Sequence, residues 1–442
     1  MHQRRVLQKL TAIQRRAGAI IAGAFRTTAG PALEVELYLL PMKQQMEKAL
    51  GYSLLRLTTT STYDIIRKPR ATWNRQLRQR SSLERLQIRY QEQLRLPQGV
   101  KLEHKSPYIV PSWWDPPATH IADNAEKAVR THDINALCRD RGTLEIYMDG
   151  SAIGGHVGAA AVASGIAQAQ KCYMGTDETF TVYAAELQGL VMATSLARRA
   201  RHNDPDIWAV NIYSDNQAGI QAAEKPETQS GQYLLRDLVK GLDDLREKNI
   251  RVQIHWIPAH IGVPGNEEAD RAAKEAAQSP RMMIRPIYHL TVTCKQLFKK
   301  RVMKEWANEW ENGTTGRVTF SLEKEPTRKV LDKHTGVRRP ISSLITQLRT
   351  GKIGLAHYLH RIGRHNSPRC PCDQGIQTVR HVLVECSRTQ DLRDELLGRT
   401  NDIKKILGNS ALVKSAAILI LRANLLRQFQ AVTEVSEDLQ TT

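Results

Sequence analysis

The chain has only six cysteines in 442 residues, scattered except for one group near residues 370–386. That supply cannot build a disulfide framework for a protein of this length and points away from an oxidising compartment. Long apolar runs are also missing. The stretch Ser415–Leu426, SAAILILRANLL, already contains a charge and falls short of the ~20 residues that span a bilayer. The opening residues are polar and basic, with no secretory leader pattern, so the expectation is an intracellular protein without a membrane partner. No internal repeat stands out, which sets aside solenoid and propeller architectures. Acidic charge is scarce: Lys+Arg 64 against Asp+Glu 45 leaves a formal +19, a balance that favours a polyanion, with nucleic acid first.

The charge is unevenly spread. Residues 1–105 carry 20 Lys/Arg and 7 Asp/Glu, residues 143–278 carry 12 and 18, and residues 279–442 carry 28 and 15. An acidic centre therefore sits between two basic flanks. The N-terminal flank has Leu7, Leu10, Ile13 and Ile20 near helical spacing, then an Arg-rich stretch, RKPRATWNRQLRQRSSLERLQIRYQ, that suits a basic helix or a partly ordered arm. The segment 106–142 opens SPYIVPSWWDPPATH, with four prolines and adjacent tryptophans, and is expected to be an extended linker. Trp113 and Trp114 are expected to pack on a neighbouring surface rather than stack on bases.

From Thr143 the pattern changes to short strands. LEIYMDGS, GGHVGAAAVASG and AQKCYMGT read as an antiparallel meander, TVYAAELQGLVMATSLARRA as a helix, and WAVNIYSDN as a fourth strand. A short and a longer helix precede a fifth strand, RVQIHWIPA, and a helix over GNEEADRAAKEAAQ closes the region. The order predicts an α/β fold with a five-stranded mixed sheet and flanking helices, between mainly helical N- and C-terminal regions. Four acids stand at element boundaries: Asp149, Glu186, Asp215 and Asp270. Asp149 and Asp215 close apolar strands that should lie parallel and adjacent, so both can face one crevice at the strands' carboxyl ends. Burying several unpaired carboxylates together is costly, and a hard divalent cation such as Mg²⁺ or Mn²⁺ relieves that cost. Metal-assisted phosphodiester hydrolysis is the chemistry such a site suits.

YMDGSA, AAELQGLVMA, IYSDNQAG and HWIPAHIGVPGNEEADRAAK, in this order, resemble the ribonuclease H family over roughly residues 143–278. The resemblance implies a ribonuclease H-like fold and hydrolysis of the RNA strand of RNA–DNA hybrids. It implies two Mg²⁺ or Mn²⁺ ions held by Asp149, Glu186, Asp215 and Asp270. It also gives His260, on a loop with Gly262 and Gly265, a part in proton transfer or product release, and makes Gly150, Ser151, Asn216 and Asn266 substrate-binding positions. Unlike the bacterial form, the AAEKPETQSGQYLLRD stretch is brief and lacks a basic extension, leaving the grip on the hybrid to the basic flanks. Two other readings compete. One is a catalytically inactive nucleic-acid-binding relic. The other is a transposase or integrase, which would lack the AHIGVPGNEEAD segment.

The C-terminal flank holds Cys370, Cys372, His381 and Cys386 as C-x-C-x8-H-x4-C, three thiolates and an imidazole that suit tetrahedral zinc. Its surroundings, and the N-terminal LTAIQRRAGAIIAGAFRTTAGPALEVELYLLPM, resemble non-LTR retrotransposon polyproteins, the latter the segment following a reverse transcriptase. No paired-aspartate polymerase motif occurs, so no DNA synthesis is expected. The expected division is therefore residues 1–105, a linker at 106–142, the ribonuclease H region at 143–278 and a Cys/His-bearing helical tail at 279–442. Oligomeric state is not legible.

Overall fold

The computed structural model describes residues 2–60, 63, 101–227, 230–280, 288–426 and 428, so the whole Arg-rich stretch 67–91 lies outside the described residues. The chain divides into two compact units, Leu50–Lys299 and a discontinuous one made of Met1–Ala49 with Lys300–Thr442. Residues 1–49 and 300–442 of the two expected flanks thus share one unit, while residues 50–105 and 279–299 belong to the other.

The Leu50–Lys299 unit is built on a six-stranded sheet: β1 (Ala118–His120), β2 (Thr143–Ile153), β3 (His156–Ala163), β4 (Gln168–Thr176), β5 (Ala209–Ser214) and β6 (Arg251–Trp256), in the order β1-β6-β5-β2-β3-β4. Strands β2, β3 and β4 form the expected antiparallel meander, and β5 and β6 add parallel to β2. The five expected strands are all present in order. The sixth is the surprise. Ala118–His120 pairs parallel with Gln253–His255, so the Pro/Trp segment ends in an edge strand and then in helix α1 (Ala125–Leu137), capped by Asn124. The two prolines before Ala118 remove backbone donors, which confines such a strand to an edge. Trp114 packs as expected, donating Nε1–H to Asp243 at 2.9 Å, whereas Trp113 is exposed.

Helices α2 (Val182–Asn203), α3 (Gln217–Glu224), α4 (Gln232–Glu247) and α5 (Pro264–Ala277) follow in chain order. Leu187, Leu190, Leu196, Leu234, Leu235 and Leu238 pack with Ile146, Met148 and Ile212 in the larger core. Tyr147, Tyr213, Val263 and the alanine face of α5 form the core that contains α5. Small residues set these spacings. A Cβ on Gly158 would lie 2.3 Å from the Ala277 nitrogen, so β3 and α5 meet backbone to backbone.

Glu103 organises the flank of this unit. It is fully buried and accepts from the Gly231 N–H at 2.6 Å, the Ser230 hydroxyl at 2.8 Å and the Thr291 N–H at 2.6 Å. One carboxylate thereby satisfies the starts of α4 and of the helix Thr291–Asn312, where backbone donors are unpaired and the helix dipole favours an anion. A two-stranded pairing of Lys101–Leu102 with Tyr288–His289 runs beside it.

The discontinuous unit is mainly helical. Arg349 is fully buried on the helix Arg339–Thr350 and bonds Glu36 at 2.8 Å, Glu323 at 2.9 Å and the Leu407 carbonyl. Trp306 and Trp310 pack on Ala32 and Val35. Among the described residues, no helix is long and apolar enough to cross a membrane.

Candidate active site and Cys/His centre

Strand β2 pairs with β5 only as far as Tyr147↔Tyr213, then continues to Ile153 along β3. Asp149 therefore sits in mid-strand, at the point where its parallel neighbour stops, rather than at a strand end as the sequence suggested. The antiparallel partner Ala160 keeps the backbone extended there. Asp215 follows the last residue of β5 at the carboxyl edge, and its carbonyl accepts from Trp256 Nε1 at 3.0 Å. Glu186 lies in the second turn of α2, whose start is capped by Thr181. The helix reaches the strand because residue 150 is glycine: a Cβ there would lie 2.5 Å from the Glu186 nitrogen.

One carboxylate oxygen from each of Asp149, Glu186 and Asp215 lies within 4.8 Å of the others. Asp149 and Glu186 are buried. Burial, then the charges of Asp215 and Asp270, pushes the Asp149 carboxyl up to about 7. Burial, then Asp149 and Asp215, pushes Glu186 up to about 9, although the Gly150 N–H and the Asn216 amide pull the other way. Asp215 is raised by burial, against the opposing charge of His260. The Glu186 Oε2 is buried and has no hydrogen-bond partner. Clustered carboxylates held above their ordinary range, with one oxygen unsatisfied, form a donor set that a hard divalent cation fits.

Asp270 falls outside that group of three, though its charge helps to raise the Asp149 carboxyl, and its Oδ2 accepts from Lys274 Nζ at 2.6 Å. It forms a second cluster with His260 and Glu267, again with ligand atoms within 4.8 Å. Glu267 and Lys274 were not among the residues expected from sequence. Their signal was position alone, three before and four after Asp270 on one helix, and that spacing is common on solvated helix faces.

His260 is exposed and has a left-handed backbone, φ 56°. Gly262, at φ 82° with open space around it, suits a loop that moves. Gly265 does not have that role. It lies inside α5, and a Cβ there would meet the Tyr147 ring at 2.3 Å, so its purpose is close packing. Ser151 is buried on β2, two residues beyond Asp149 and on the same face. Asn216 caps α3, its Oδ1 accepting from the Gly219 N–H at 2.8 Å. Asn266 lies in the first turn of α5 with its Oδ1 buried and unpartnered.

The second centre lies in the discontinuous unit. Cys370, Cys372, His381 and Cys386 bring their ligand atoms within 4.8 Å of one another. A tight turn with Asp373 at φ 58° connects the first two to an antiparallel bridge, Arg369↔Ile376. Cys370 and Cys386 sulfurs are 3.7 Å apart, and Cys372 Sγ is 3.2 Å from His381 Nε2. The other ring nitrogen of His381 lies 3.6 Å from Glu385, the outer carboxylate that commonly orients a metal-bound imidazole. Burial pushes the Cys370 thiol up to about 12. Three sulfurs and one nitrogen converging in this way match a closed, four-coordinate zinc site.

A three-stranded antiparallel meander joined to parallel strands, with helices packed on the sheet, is the ribonuclease H type of fold. Residues 141–278 match the RNase H family model, and this segment is an RNase H domain. A stretch of 100 residues, 23% of this chain, is 27% identical to the Retrovirus-related Pol polyprotein from type-1 retrotransposable element R1 of Bradysia coprophila. The match spans about a tenth of that polyprotein, 10% of its length. Among solved structures, RNase H1 from the halophilic archaeon Halobacterium salinarum NRC-1 is similar at 22% identity, with 31% of this chain and 98% of that one covered and a TM-score of 0.23.

Proposed function

We propose that the chain is a metal-dependent endonuclease that hydrolyses the RNA strand of RNA–DNA hybrids, and that it belongs to an intracellular retrotransposon polyprotein. The observation that carries this reading is the Asp149–Glu186–Asp215 cluster, two of its three acids buried and one Glu186 oxygen unsatisfied, at the carboxyl edge of the parallel strands. Asp149, Glu186, Asp215 and Asp270 would hold two Mg²⁺ or Mn²⁺ ions. When bound, such ions supply an activated water at neutral pH and neutralise charge on the leaving oxygen. The residues themselves do the rest. Gly150 lets α2 press its glutamate against β2, and Asn216 fixes the start of α3 beside it. His260, on the loop that carries Gly262, would move a proton to or from the reacting oxygens. Gly150, Ser151, Asn216 and Asn266 are the polar positions from which the hybrid's sugars are read, the 2′-OH being what separates RNA from DNA. The Cys370–Cys372–His381–Cys386 centre would hold one structural zinc. The basic segments would supply the phosphate contacts that the acidic centre lacks.

The test is incubation of the full chain with end-labelled RNA–DNA hybrid, duplex DNA and duplex RNA in Mg²⁺ or Mn²⁺. Cleavage confined to the RNA of the hybrid supports the proposal. Hybrid binding without cleavage in either metal would identify an inactive binding relic, and cutting of duplex DNA would favour a transposase or integrase.

A further inference from the structure

A cavity of about 310 Å³ opens beside the acidic cluster, and two thirds of its lining residues, eight of twelve, come from outside the segment that matches the family. Thr119, His120 and His132 come from β1 and α1, while Tyr213, His255 and Trp256 come from β5 and β6. The cavity therefore exists because the chain adds a strand and a helix ahead of residue 141.

Along it runs a cross-strand row of four rings, of which Tyr213, His255 and His120 line the cavity. Tyr147, Tyr213, His255 and His120 are successive register partners on β2, β5, β6 and β1. Their centroids are 4.9, 5.3 and 4.6 Å apart and all three pairs are stacked. The row ends on His120, exposed on the edge strand. His132 stands edge-on to Tyr213 and bonds the Tyr147 hydroxyl at 2.8 Å. At the centre, His255 is only 6% exposed and its Nε2 has no hydrogen-bond partner. A buried ring nitrogen without a partner costs free energy until something satisfies it.

The chemistry of the wall narrows what that could be. His120, His132 and His255 do not converge closely enough to appear among the metal-ligating groups of the described residues. Burial, with His120 and His132 beside it, lowers His255 to about 4, so at neutral pH its nitrogen offers a hydrogen bond and not a charge. Lys127 at the wall is already held by Asp123 at 2.8 Å, leaving no free cation to seat a phosphate inside. No carboxylate lines the cavity to repel a phosphodiester passing its mouth. A neutral planar heterocycle with donors and acceptors on its edge meets all these conditions. At the small end of ligand-site volumes, the space suits one ring system and not a base pair. The cavity also adjoins the reaction centre: Trp256 lines it and donates to the Asp215 carbonyl.

We infer that this cavity receives the base of an unpaired nucleotide next to the hybrid, stacked against the imidazole row and hydrogen-bonded to His255 Nε2. The inference rests on the nuclease reading for its substrate, but not for the pocket itself. The experiment uses the full chain without added Mg²⁺ or Mn²⁺ and with its zinc retained, so that binding is measured without cleavage. The probes are a blunt RNA–DNA hybrid, the same hybrid with a short unpaired extension bearing 2-aminopurine, and that extension as a free single strand. The extension should tighten binding about tenfold, the order expected for base–aromatic stacking, and its fluorescence should be quenched. His120→Ala and His255→Gln should each lose most of that gain, while His120→Tyr, which keeps a ring, should preserve it. Affinity for the blunt hybrid should be unchanged in His120→Ala. Equal affinity for blunt and extended hybrids would overturn the inference and leave the nuclease reading standing, as would a full gain in both His120→Ala and His255→Gln. Failure to bind any hybrid, with His120-dependent quenching of the free strand, would sink the nuclease reading and keep the pocket. No quenching of the free strand and no hybrid binding would sink both.

Discussion

The chain holds two clusters of metal-ligating side chains, and they differ in what holds them together. Asp149, Glu186 and Asp215 are all carboxylic acids, forced into proximity by a sheet and a helix whose apolar faces are buried elsewhere. Their core would persist if the acids were removed, and the acids repel one another once ionised. Cys370, Cys372, His381 and Cys386 come from a loop, a bridge and a short helical turn with few apolar contacts of their own, although Val382 and Leu383 reach the core of their unit. There the ligands are the local structure. A cation added to the first cluster should change chemistry and charge. One added to the second should change folding.

The most severe test of that contrast is Asp149→Asn or Asp215→Asn. Each should lower Mg²⁺-dependent cleavage of a hybrid by roughly a thousandfold or more, about 4 kcal/mol of barrier, with the far-ultraviolet circular dichroism unchanged. Retained cleavage in either variant would break the assignment of the carboxylate cluster.

Cys386→Ser should do the opposite. Elemental analysis should find one zinc per wild-type chain and none in the variant, and the melting of the helical unit should fall while hybrid cleavage per folded molecule persists. A protein without zinc whose melting is unaffected by chelators would erase the distinction between the two centres.

A smaller effect is expected of His260→Ala, about a hundredfold in turnover, the lower range for a positioned proton-transfer group. Metal affinity, measured by calorimetry, should be close to wild type. If the variant loses metal binding as fully as Asp149→Asn does, His260 belongs with Glu267 and Asp270 as a ligand.

The least dramatic test concerns pH. Asp149 and Glu186 have folded values of about 7 and about 9, above the ordinary carboxylate value of about 4. For groups raised in this way, the stability they contribute is complete below the unfolded value and is lost as pH rises through the folded one. Metal-free protein should therefore lose melting temperature from about pH 4 upward through neutrality. Added Mn²⁺ should restore it more at pH 8 than at pH 5. In Asp149→Asn the pH-dependent part of that restoration should shrink, and scanning calorimetry with and without Mn²⁺ would show it.

The convergence of Asp149, Glu186 and Asp215 was legible because each is embedded in a run with its own periodicity: an apolar strand before Asp149 and Asp215, and a helical stripe around Glu186. The five strands of the ribonuclease H region were readable for the same reason. Ala118–His120 was not, since three residues carry no alternation and their pairing with β6 depends on chain more than a hundred residues away. The same holds for the cavity that strand helps to form, whose rings align only when four strands are in register. Gly265 shows a different limit. A glycine after a loop histidine reads as a hinge, and only the Tyr147 ring against it reveals that it is there for contact. The Lys274 bond to Asp270 was hidden by its ordinariness, since such spacing usually means a solvated pair.

Glu103 lies well upstream of the segment that matches the family, yet its bonds reach Gly231 and Thr291, 128 and 188 residues on. If a piece of this chain were moved into another protein with its borders drawn at residues 141 and 278, the recipient would inherit all four clustered acids and leave behind the carboxylate that closes the start of α4. Exchange of this domain is thus constrained by a residue far from the acidic cluster. A transplant that works must carry the upstream strand with it or evolve a new acid in its place.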